Sequence, residues 1–339
     1  MKKKKIVKYS KNYNSIFSIK KSLYNDNKKF LQSTLKVNKF LKKQGLRKFC
    51  KNCRSKLSKK IFTQFGIGYT SCNKCKHLNA IYHDNPKFTH WLYSANKGKN
   101  YDEDKDYYYF NQRVKNIHIP KVDFLKKVIK SKIKVLDIGA GSGQFLKALE
   151  LRKIHGIGYE PSQSFVKFGN KTLKKNKLIN LDMEETFNVI LNDKESNVLS
   201  MICVLAHLEE PNTLIEIFKK SSLKYLFFSV PLFSLSVFIE NSFKNVHPRH
   251  LAGSHTNLYT KESLYYLAKK YNLEIAGEWW FGADFPDLYR SLINSCNTNN
   301  LKKYKMHLDK NFFSVINELQ NVLDKNKICS EVHMVFKKK

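Results

Sequence analysis

The sequence lacks a hydrophobic stretch that could cross a bilayer, for which about 18 consecutive apolar residues are needed. Its lysine-rich start is also not followed by the apolar segment of a secretory signal peptide. Nothing in the sequence indicates export to an oxidising compartment, where disulfides form and persist. We therefore expect a cytoplasmic protein without a transmembrane segment.

Arginine is scarce, because only six of the 62 basic residues are Arg, while the acidic residues number 28 and the formal net charge is +34. Residues 1–60 alone hold 21 basic residues and one acid, Asp26. Recognition of nucleic acids relies on Arg and on clustered basic patches. The excess of Lys, with many Asn, Ile and Tyr, is typical of an AT-rich genome. Nucleic acid is therefore a partner that we do not favour.

The basic segment 1–48 is interpreted as an arm that is partly disordered. We expect disorder over residues 1–15 and an amphipathic helix over 16–44, where Phe17, Leu23 and Phe30 are among the apolar positions. Such a helix either makes a peripheral contact with an anionic surface, as of a membrane or a polyphosphate, or is simply solvated.

The most informative stretch runs from 135 to 145 and contains glycines at alternate positions, Gly139, Gly141 and Gly143. An apolar β-type run over 134–138 precedes them, and a helical pattern follows. Glycine has no Cβ and reaches positive φ, so a ligand can approach the backbone closely. The unpaired N–H groups of the next helix favour a carboxylate or phosphate. This pattern predicts a nucleotide-type binding turn; the alternative is a tight strand–helix turn without a ligand.

The spacing of the three glycines restricts which ligand the turn would bind. The dinucleotide fingerprint G-x-G-x-x-G does not fit, because Gln144 stands at its last glycine. The pattern is D-x-G-x-G-x-G from Asp137 to Gly143, and it resembles the S-adenosylmethionine (SAM) site of class I methyltransferases. The resemblance implies that Asp137 and the three glycines position the amino acid end of SAM, the expected cofactor.

Acidic residues follow the next two predicted strands. Glu160 ends the strand over 154–159, and an acid about 20 positions after a glycine turn suits the ribose hydroxyls. The strand over 178–181 leads into Asp182, Met183 and Glu184. In the family this loop lies beside the adenine, so we expect Asp182 and Met183 there; Glu184 is equally an ordinary surface acid.

Buried strands are also predicted at 198–205, 223–230, 273–281 and 331–336, with helical patterns between them. The fold class is therefore α/β, a doubly wound Rossmann-like domain with a seven-stranded sheet over 134–339. A helical insertion is expected over 291–327. Residues 81–133 are interpreted as a helical linker or lid, whose tyrosines either line an acceptor pocket or only pack.

Histidines cluster at the predicted carboxyl edge of the sheet, where open α/β sheets bind ligands. His207 follows the fourth strand, and a loop before the next helix carries His247, His250 and His255 and ends at Tyr259. The loop resembles the active-site loop of sugar and polysaccharide-pathway methyltransferases. The resemblance implies a catalytic base at His250 or His255, then Tyr259, with His207 also near the reaction and His247 near the acceptor. The alternative is a polar loop with incidental imidazoles.

A second polar segment follows the strand at 273–281. Asp284, Asp287 and Arg290 lie there in an aromatic setting and are candidates to hold acceptor hydroxyls or phosphate. Arg290 suits a bidentate grip on a diphosphate. A structural Asp–Arg ion pair is the equal alternative.

Four of the seven cysteines have the spacing of a zinc ribbon, namely Cys50, Cys53, Cys72 and Cys75. Two disulfides would need an oxidising compartment. We therefore predict structural zinc over residues 49–80, because four thiolates leave no open coordination position.

A zinc ribbon before this type of domain resembles the sugar C-methyltransferases and their relatives in bacterial polysaccharide loci. That family typically has Tyr-x-Glu-His-x-x-Tyr in the loop, whereas Arg249 stands here where Glu is expected. We therefore expect SAM-dependent methyl transfer to a sugar or another small polar acceptor, with a nucleotide-linked sugar of polysaccharide biosynthesis as the first candidate. The departure at Arg249 leaves open whether carbon, oxygen or nitrogen is methylated. The rivals are an RNA or protein methyltransferase that grips a polyanion and a ribbon protein whose domain is inert.

Overall fold

The computed structural model describes residues 5–13, 19, 26–59, 61–93, 107–175, 177–251, 253–298 and 305–339. The expected helix over 16–44 falls partly outside these ranges, and its described part contains one helix, α1 (Asn27–Leu41). Among the described helices, none has the length and apolar character to span a membrane.

A central sheet of eight strands organises the described chain, in the order β1-β11-β12-β9-β8-β5-β6-β7. β12 is antiparallel to both of its neighbours, and the other pairs are parallel. The strands are β1 (Ile6–Tyr9), β5 (Lys134–Ile138), β6 (His155–Glu160), β7 (Leu178–Asn180), β8 (Val198–Ile202), β9 (Tyr225–Pro231), β11 (Leu273–Phe281) and β12 (Glu331–Lys338).

Helices cover both faces of this sheet, which makes the fold doubly wound. One core contains apolar residues of α3 (Tyr107–Arg113), α4 (Ile119–Val128), α5 (Gln144–Leu151) and α6 (Gln163–Leu173). The core on the other face takes its helical residues mainly from α7 (Met183–Asn192), α8 (Pro211–Lys220) and α10 (Lys261–Lys270). The remaining described α-helices are α2 (Pro86–Tyr93), α9 (Leu235–Ser242), α11 (Asp284–Thr298), α12 (Lys305–Phe312) and α13 (Ile316–Lys325).

The predicted domain at 134–339 supplies seven of the eight strands of the central sheet. The eighth strand, β1, comes from the arm and was not predicted. Residues 1–15 were predicted to be disordered, whereas Ile6–Tyr9 form β1 along the edge of β11. Sequence pattern does not show this pairing, because a four-residue strand has too few positions to establish a period. Tertiary contacts stabilise it: Ile6 packs against a core, and the Trp279 indole donates to the carbonyl of Ser10.

A second sheet of four strands, β10-β4-β3-β2, contains the cysteine ribbon. Its strands are β2 (Phe62–Gln64), β3 (Ile67–Ser71), β4 (Leu78–Ala80) and β10 (Asn257–Leu258). β10 belongs to the loop after the expected histidine cluster, and its residues pair with Asn79 and Leu78 of β4. The four-stranded sheet of the ribbon therefore includes one strand, β10, from the larger domain.

A buried carboxylate joins β1 to the rest of the fold. The Glu278 side chain is 0% exposed and accepts from Lys5 Nζ at 2.8 Å and from Lys327 Nζ at 2.7 Å. The Tyr265 hydroxyl and the Trp280 indole also donate to it, at 2.7 and 3.0 Å. Burial alone would raise the pKa of Glu278, but the donors lower it to about 2.

Glu278→Gln should destabilise the protein at neutral pH, because an amide cannot replace a carboxylate that accepts from two ammonium groups. A depressed pKa gives stability that is present above the usual value of 4.5 and is lost as the pH falls toward 2. The free energies of unfolding of the wild-type protein and of Glu278→Gln, measured with urea, should therefore converge as the pH falls. Glu274→Gln on the same strand is the control, since its carboxylate is 38% exposed. A constant difference between pH 7 and pH 3 would contradict this assignment.

Candidate functional site

The glycine turn lies at the carboxyl edge of the sheet, between β5 and α5. Gly139, Gly141 and Gly143 have φ values of 67°, 55° and 84°, a region that favours glycine. A Cβ on Gly139 would lie 2.4 Å from Val204 Cγ2, so the segment that follows β8 approaches the turn too closely for a side chain. By contrast, a Cβ on Gly141 would meet only Gln144 Oε1, at 4.0 Å. The turn thus has a tightly packed base and an open middle.

Glu160 connects this turn to the end of β6. Its Oε2 accepts from the Gly141 N–H at 2.9 Å, and its Oε1 accepts from the Ser162 N–H at 3.0 Å. Burial raises the pKa of Glu160, although these backbone donors act in the opposite direction. A carboxylate is therefore held beside the turn.

Asp137 lies below the turn. It is 2% exposed, and its Oδ1 accepts from the Ser200 hydroxyl at 2.5 Å. Burial raises the pKa of Asp137 to about 7. This carboxyl therefore couples β5 to β8 and supports the turn from within the sheet.

Asp182 and Met183 begin α7 after β7. Asp182 caps the helix, since its Oδ1 accepts from the Glu185 N–H at 2.9 Å and the Glu185 side chain accepts from the Asp182 N–H. Met183 is partly buried and packs against a core. The predicted adenine-side residues thus occupy the start of a capped helix at the same edge of the sheet.

His207 and His255 lie against each other, with ring centroids 4.9 Å apart. His255 Nδ1 is 3.0 Å from the carbonyl oxygen of Arg249, a contact that requires the proton on Nδ1 and leaves Nε2 as the acceptor nitrogen. Burial lowers the pKa of His207 to about 4 and that of His255 well below its usual value. Both imidazoles are therefore neutral at physiological pH.

His250 is anchored by Glu240, a residue that sequence reasoning missed. Glu240 Oε1 accepts from the N–H groups of Arg249 and His250, at 2.6 and 2.9 Å, and lies 3.1 Å from His250 Nδ1. Glu240 Oε2 accepts from the Leu251 N–H and from Gln64 Nε2. The only signal in the sequence is one carboxylate in the apolar segment LSVFIENS. Its effect is to fix the loop and the orientation of the His250 ring.

Glu240, His250 and Asp287 lie close enough together to suggest a metal site. However, both oxygens of Glu240 already accept protein hydrogen bonds, and Asp287 forms a two-point ion pair with Arg249 at 2.8 and 3.2 Å. Burial would raise the pKa of Asp287, but Arg249 and Arg290 lower it to about 2. The donors present satisfy these carboxylates without a cation.

The other expected substrate residues also make internal contacts. Asp284 is buried and accepts from Ser234, Ser236 and the Ser330 N–H, at distances between 2.6 and 3.0 Å. Arg290 is 1% exposed and donates to the carbonyl oxygen of His247 at 2.9 Å. Arg290 therefore supports the histidine loop, whereas Asp284 joins the start of α9 to Ser330 just before β12. Both residues have structural contacts within the protein.

Two other loop residues, His247 and Tyr259, contact segments outside the loop. His247 Nδ1 lies 3.0 Å from the Thr34 hydroxyl, and its ring packs on Phe30 of α1. Tyr259 is 0% exposed and packs edge-on against His77 in the ribbon, at 4.5 Å. Its hydroxyl has no hydrogen-bond partner within the described ranges. These positions tie the loop to the arm and to the ribbon.

The four ribbon cysteines are buried, and their sulfur atoms all lie within 4.8 Å of one another. Cys50 Sγ is 3.6 Å from Cys75 Sγ, and Cys53 Sγ is 3.4 Å from Cys72 Sγ. Four sulfurs at about 2.3 Å from a tetrahedral zinc would lie about 3.8 Å apart. The donor set and its spacing fit a zinc ion.

Additional polar groups at the carboxyl edge were not expected as site residues. Lys11 and Tyr13 follow β1, Lys121 lies at the start of α4, and Glu331 begins β12. The charge of Glu331 acts on the pKa values of the other three groups. The sequence signal for Lys121 is a lysine among the apolar residues of α4, and it is 6% exposed.

Residues 109–277, just under half of the chain, match a family model described as a methyltransferase domain. A similar solved structure is a SAM-dependent methyltransferase from Archaeoglobus fulgidus, 19% identical, with a TM-score of 0.40 and coverage of 69% of this chain and 100% of that chain. A search of curated proteins found no match.

Two further structures are similar. One is a SAM-dependent methyltransferase from Geobacter sulfurreducens in complex with S-adenosyl-L-homocysteine, 12% identical, with a TM-score of 0.39 and coverage of 65% of this chain and 91% of that chain. The other is the cyclopropane synthase MmaA2 from Mycobacterium tuberculosis, 10% identical, with a TM-score of 0.42 and coverage of 66% and 85%. At these identities and TM-scores no residue role is transferred from them.

Glu240→Gln should lower the free energy of unfolding by about 3 kcal/mol, because it leaves buried donors facing an amide that also donates. Urea denaturation measures this change. Glu262→Gln in the exposed first turn of α10 is the control and should cost no more than about 0.5 kcal/mol. Equal effects of the two substitutions would show that Glu240 does not anchor the loop.

Proposed function

We infer that this chain, which is a methyltransferase with its domain over residues 109–277, takes the methyl group from SAM and transfers it to a sugar or another small polar acceptor. A nucleotide-linked sugar is the first candidate. The observation that carries the cofactor proposal is the contact between Glu160 and Gly141, because it places a carboxylate beside an open glycine turn. Together they offer both a ribose partner and a close backbone approach.

The cofactor would be held by three groups of this chain. The turn at Gly139–Gly143 and the start of α5 suit its amino acid end, and Glu160 suits the ribose hydroxyls. Asp182 and Met183 are proposed for the adenine side. When bound, SAM supplies an activated methyl group; the protein aligns the acceptor with it and excludes water, which lowers the barrier through proximity.

His250 is our first candidate for the group that removes the acceptor proton. Glu240 engages its Nδ1 at 3.1 Å, so Nε2 is the nitrogen available as a base. His255 is the second candidate, because its Nδ1 is engaged by the Arg249 carbonyl. Tyr259 is not retained in this role, because it is fully buried against the ribbon.

Methylation of RNA or protein is the second candidate function, favoured by the 21 basic residues in 1–60. Several of these cations already have partners in the fold. Lys5 pairs with Glu278, and both Arg47 and Lys51 pair with Asp84. These contacts reduce the charge left for a polyanion and support the small-acceptor proposal.

The first test measures SAM binding to the full-length, zinc-replete protein by calorimetry. Gly141→Arg should abolish measurable binding, because its side chain fills the open middle of the turn at a position with φ of 55°. Gly141→Ala is the matched control and should retain weakened binding, since it adds the backbone strain without filling the pocket. No binding to the folded wild-type protein would refute the cofactor proposal.

The same proteins are then assayed with a panel of nucleotide-sugars and with structured RNA at moderate salt. We expect turnover on a nucleotide-sugar, and His250→Gln should lose turnover while it still binds SAM. Turnover on RNA with a steep dependence on salt would move the function to the second candidate.

We also propose that Cys50, Cys53, Cys72 and Cys75 bind a structural zinc ion. The support is the close approach of four buried sulfurs, with Asn79 Nδ2 donating to Cys50 Sγ at 3.6 Å. Because four thiolates complete a tetrahedral site, the ion would stabilise the fold and take no part in the reaction.

Cys72→Ser should remove one equivalent of zinc and lower the melting temperature, because metal binding contributes directly to folding free energy. Elemental analysis and thermal unfolding measure the two effects. The partly buried Cys296 lies outside the ribbon, so Cys296→Ser should leave the zinc content unchanged. Wild-type protein that contains no zinc after expression in zinc-supplemented medium would refute the proposal.

A further inference from the structure

The segment after β1 is fixed over the carboxyl edge of the central sheet. The Ser10 N–H donates to the Trp280 carbonyl at 2.9 Å, and the Ser10 hydroxyl donates to Asn321 Oδ1 at 2.6 Å. The Tyr13 N–H donates to Asn317 Oδ1 at 2.9 Å. Contacts with β11 and α13 therefore hold Lys11 and Tyr13 in defined positions.

Lys11 is partly buried and lies beside aromatic rings. Its Nζ lies 4.7 Å from the centroid of the Phe281 ring, and no hydrogen bond or ion pair joins it to another described residue. Burial lowers the pKa of Lys11 to about 8; Glu331 raises it, whereas Lys121 and Arg249 lower it further. Aromatic contact alone does not compensate for the lost hydration of an ammonium group.

Lys121 brings a second cation to the same edge. Its side chain is 6% exposed, and none of the described residues forms a hydrogen bond or ion pair with it. Burial lowers its pKa, against the opposing effects of Cys203 and Glu331. A buried cation without a close partner indicates a place for an anion.

The remaining charges do not neutralise this pair. Arg249 is matched by its two-point ion pair with Asp287. The charge of Glu331 acts on both Lys11 and Lys121, and Asp137, whose own pKa burial raises to about 7, acts on Lys121. Tyr13 is 5% exposed and lies near the same carboxylate, with its hydroxyl in no hydrogen bond to another described residue.

We propose that Lys11, Lys121 and the Tyr13 hydroxyl bind an anionic group of the acceptor, a phosphate or a carboxylate, so that the segment after β1 completes the acceptor site. This inference rests on the proposed methyl transfer to a small polar acceptor. It assigns acceptor binding to Lys11 and Tyr13, which precede the ribbon, and to Lys121, which follows it. It replaces Arg290 as the proposed partner of a phosphate.

The carboxylate of the cofactor is the other source of the same chemistry, because Lys121 also lies near Asp137 below the glycine turn. Different ligands distinguish the carboxylate of the cofactor from the anionic group of the acceptor. S-adenosylhomocysteine carries the cofactor's carboxylate, whereas 5′-methylthioadenosine lacks the amino acid part. Inorganic pyrophosphate serves as a probe for the acceptor's anionic group.

The test titrates pyrophosphate into full-length protein by calorimetry, with and without S-adenosylhomocysteine, so that the anion site is measured even if the cofactor does not bind. Lys11→Met should weaken pyrophosphate binding at least about tenfold, since it removes one charge-assisted contact. Lys11→Arg should restore binding because it keeps the charge. Lys8→Met is the matched control from β1, where Nζ lies 3.5 Å from the centroid of the Trp279 ring. Thermal unfolding checks that each variant is folded.

Unchanged affinity for both nucleosides, with pyrophosphate binding lost only in Lys11→Met, supports the proposal. Three results would overturn it: no pyrophosphate binding to the wild-type protein, equal losses in Lys11→Met and Lys8→Met, or a tenfold loss of S-adenosylhomocysteine affinity with that for methylthioadenosine preserved. The last result would assign Lys11 to the cofactor's carboxylate. Failure of the cofactor to bind any protein would instead count against the proposed function.

Discussion

Buried carboxylates hold the outer segments of this protein to its central sheet. Asp84 joins Arg47 and Lys51 of the ribbon region to Thr256 in the histidine loop. Glu278 binds Lys5 at the start of β1. Glu240 binds the backbone N–H groups of the histidine loop. In a chain with 62 basic and 28 acidic residues, cations are available almost everywhere, whereas the position of each acid decides which segments are fixed. Removing one partner of such a pair is costly because the other charge stays buried.

The sequence was sufficient for features that depend on local pattern. β11 occupies 273–281 as predicted, because nine residues bounded by turn signals identify a buried strand. The glycine turn was also located correctly, since three alternate positions at positive φ favour glycine. β1 and Glu240 could not be found in this way. Their partners lie far along the chain or in the backbone of a loop, and neither leaves a periodic signal.

The same distinction applies to the candidate site. Glu160 stands where the spacing predicted, beside the turn. Asp284, Asp287 and Arg290 have the residue types of a binding site, but all three are buried in internal contacts. Asp287 and Arg290 support the histidine loop, and Asp284 binds the start of α9 and Ser330. Lys11 and Lys121 have ordinary sequence surroundings and become notable only because folding leaves them without close partners. The candidate ligand-binding residues at the carboxyl edge are therefore those charged groups that the fold leaves without a close partner. That property follows from the tertiary structure and is not visible in the sequence.

Two strands near the amino end of the chain, β1 and β4, pair with strands that are synthesised much later, β11 and β10. Ile6 pairs with Gly277, and Leu78 pairs with Leu258, so β1 and β4 each lack a neighbouring strand until those residues have left the ribosome. The other side of β1 remains an edge of the eight-stranded sheet in the folded protein. Chains usually fold from the amino end during synthesis, and unpaired strand edges favour aggregation while they wait. The lysines that flank β1 provide like-charge repulsion between nascent chains during this interval. The lysines around β1 thus oppose edge-to-edge pairing independently of any ligand that they bind.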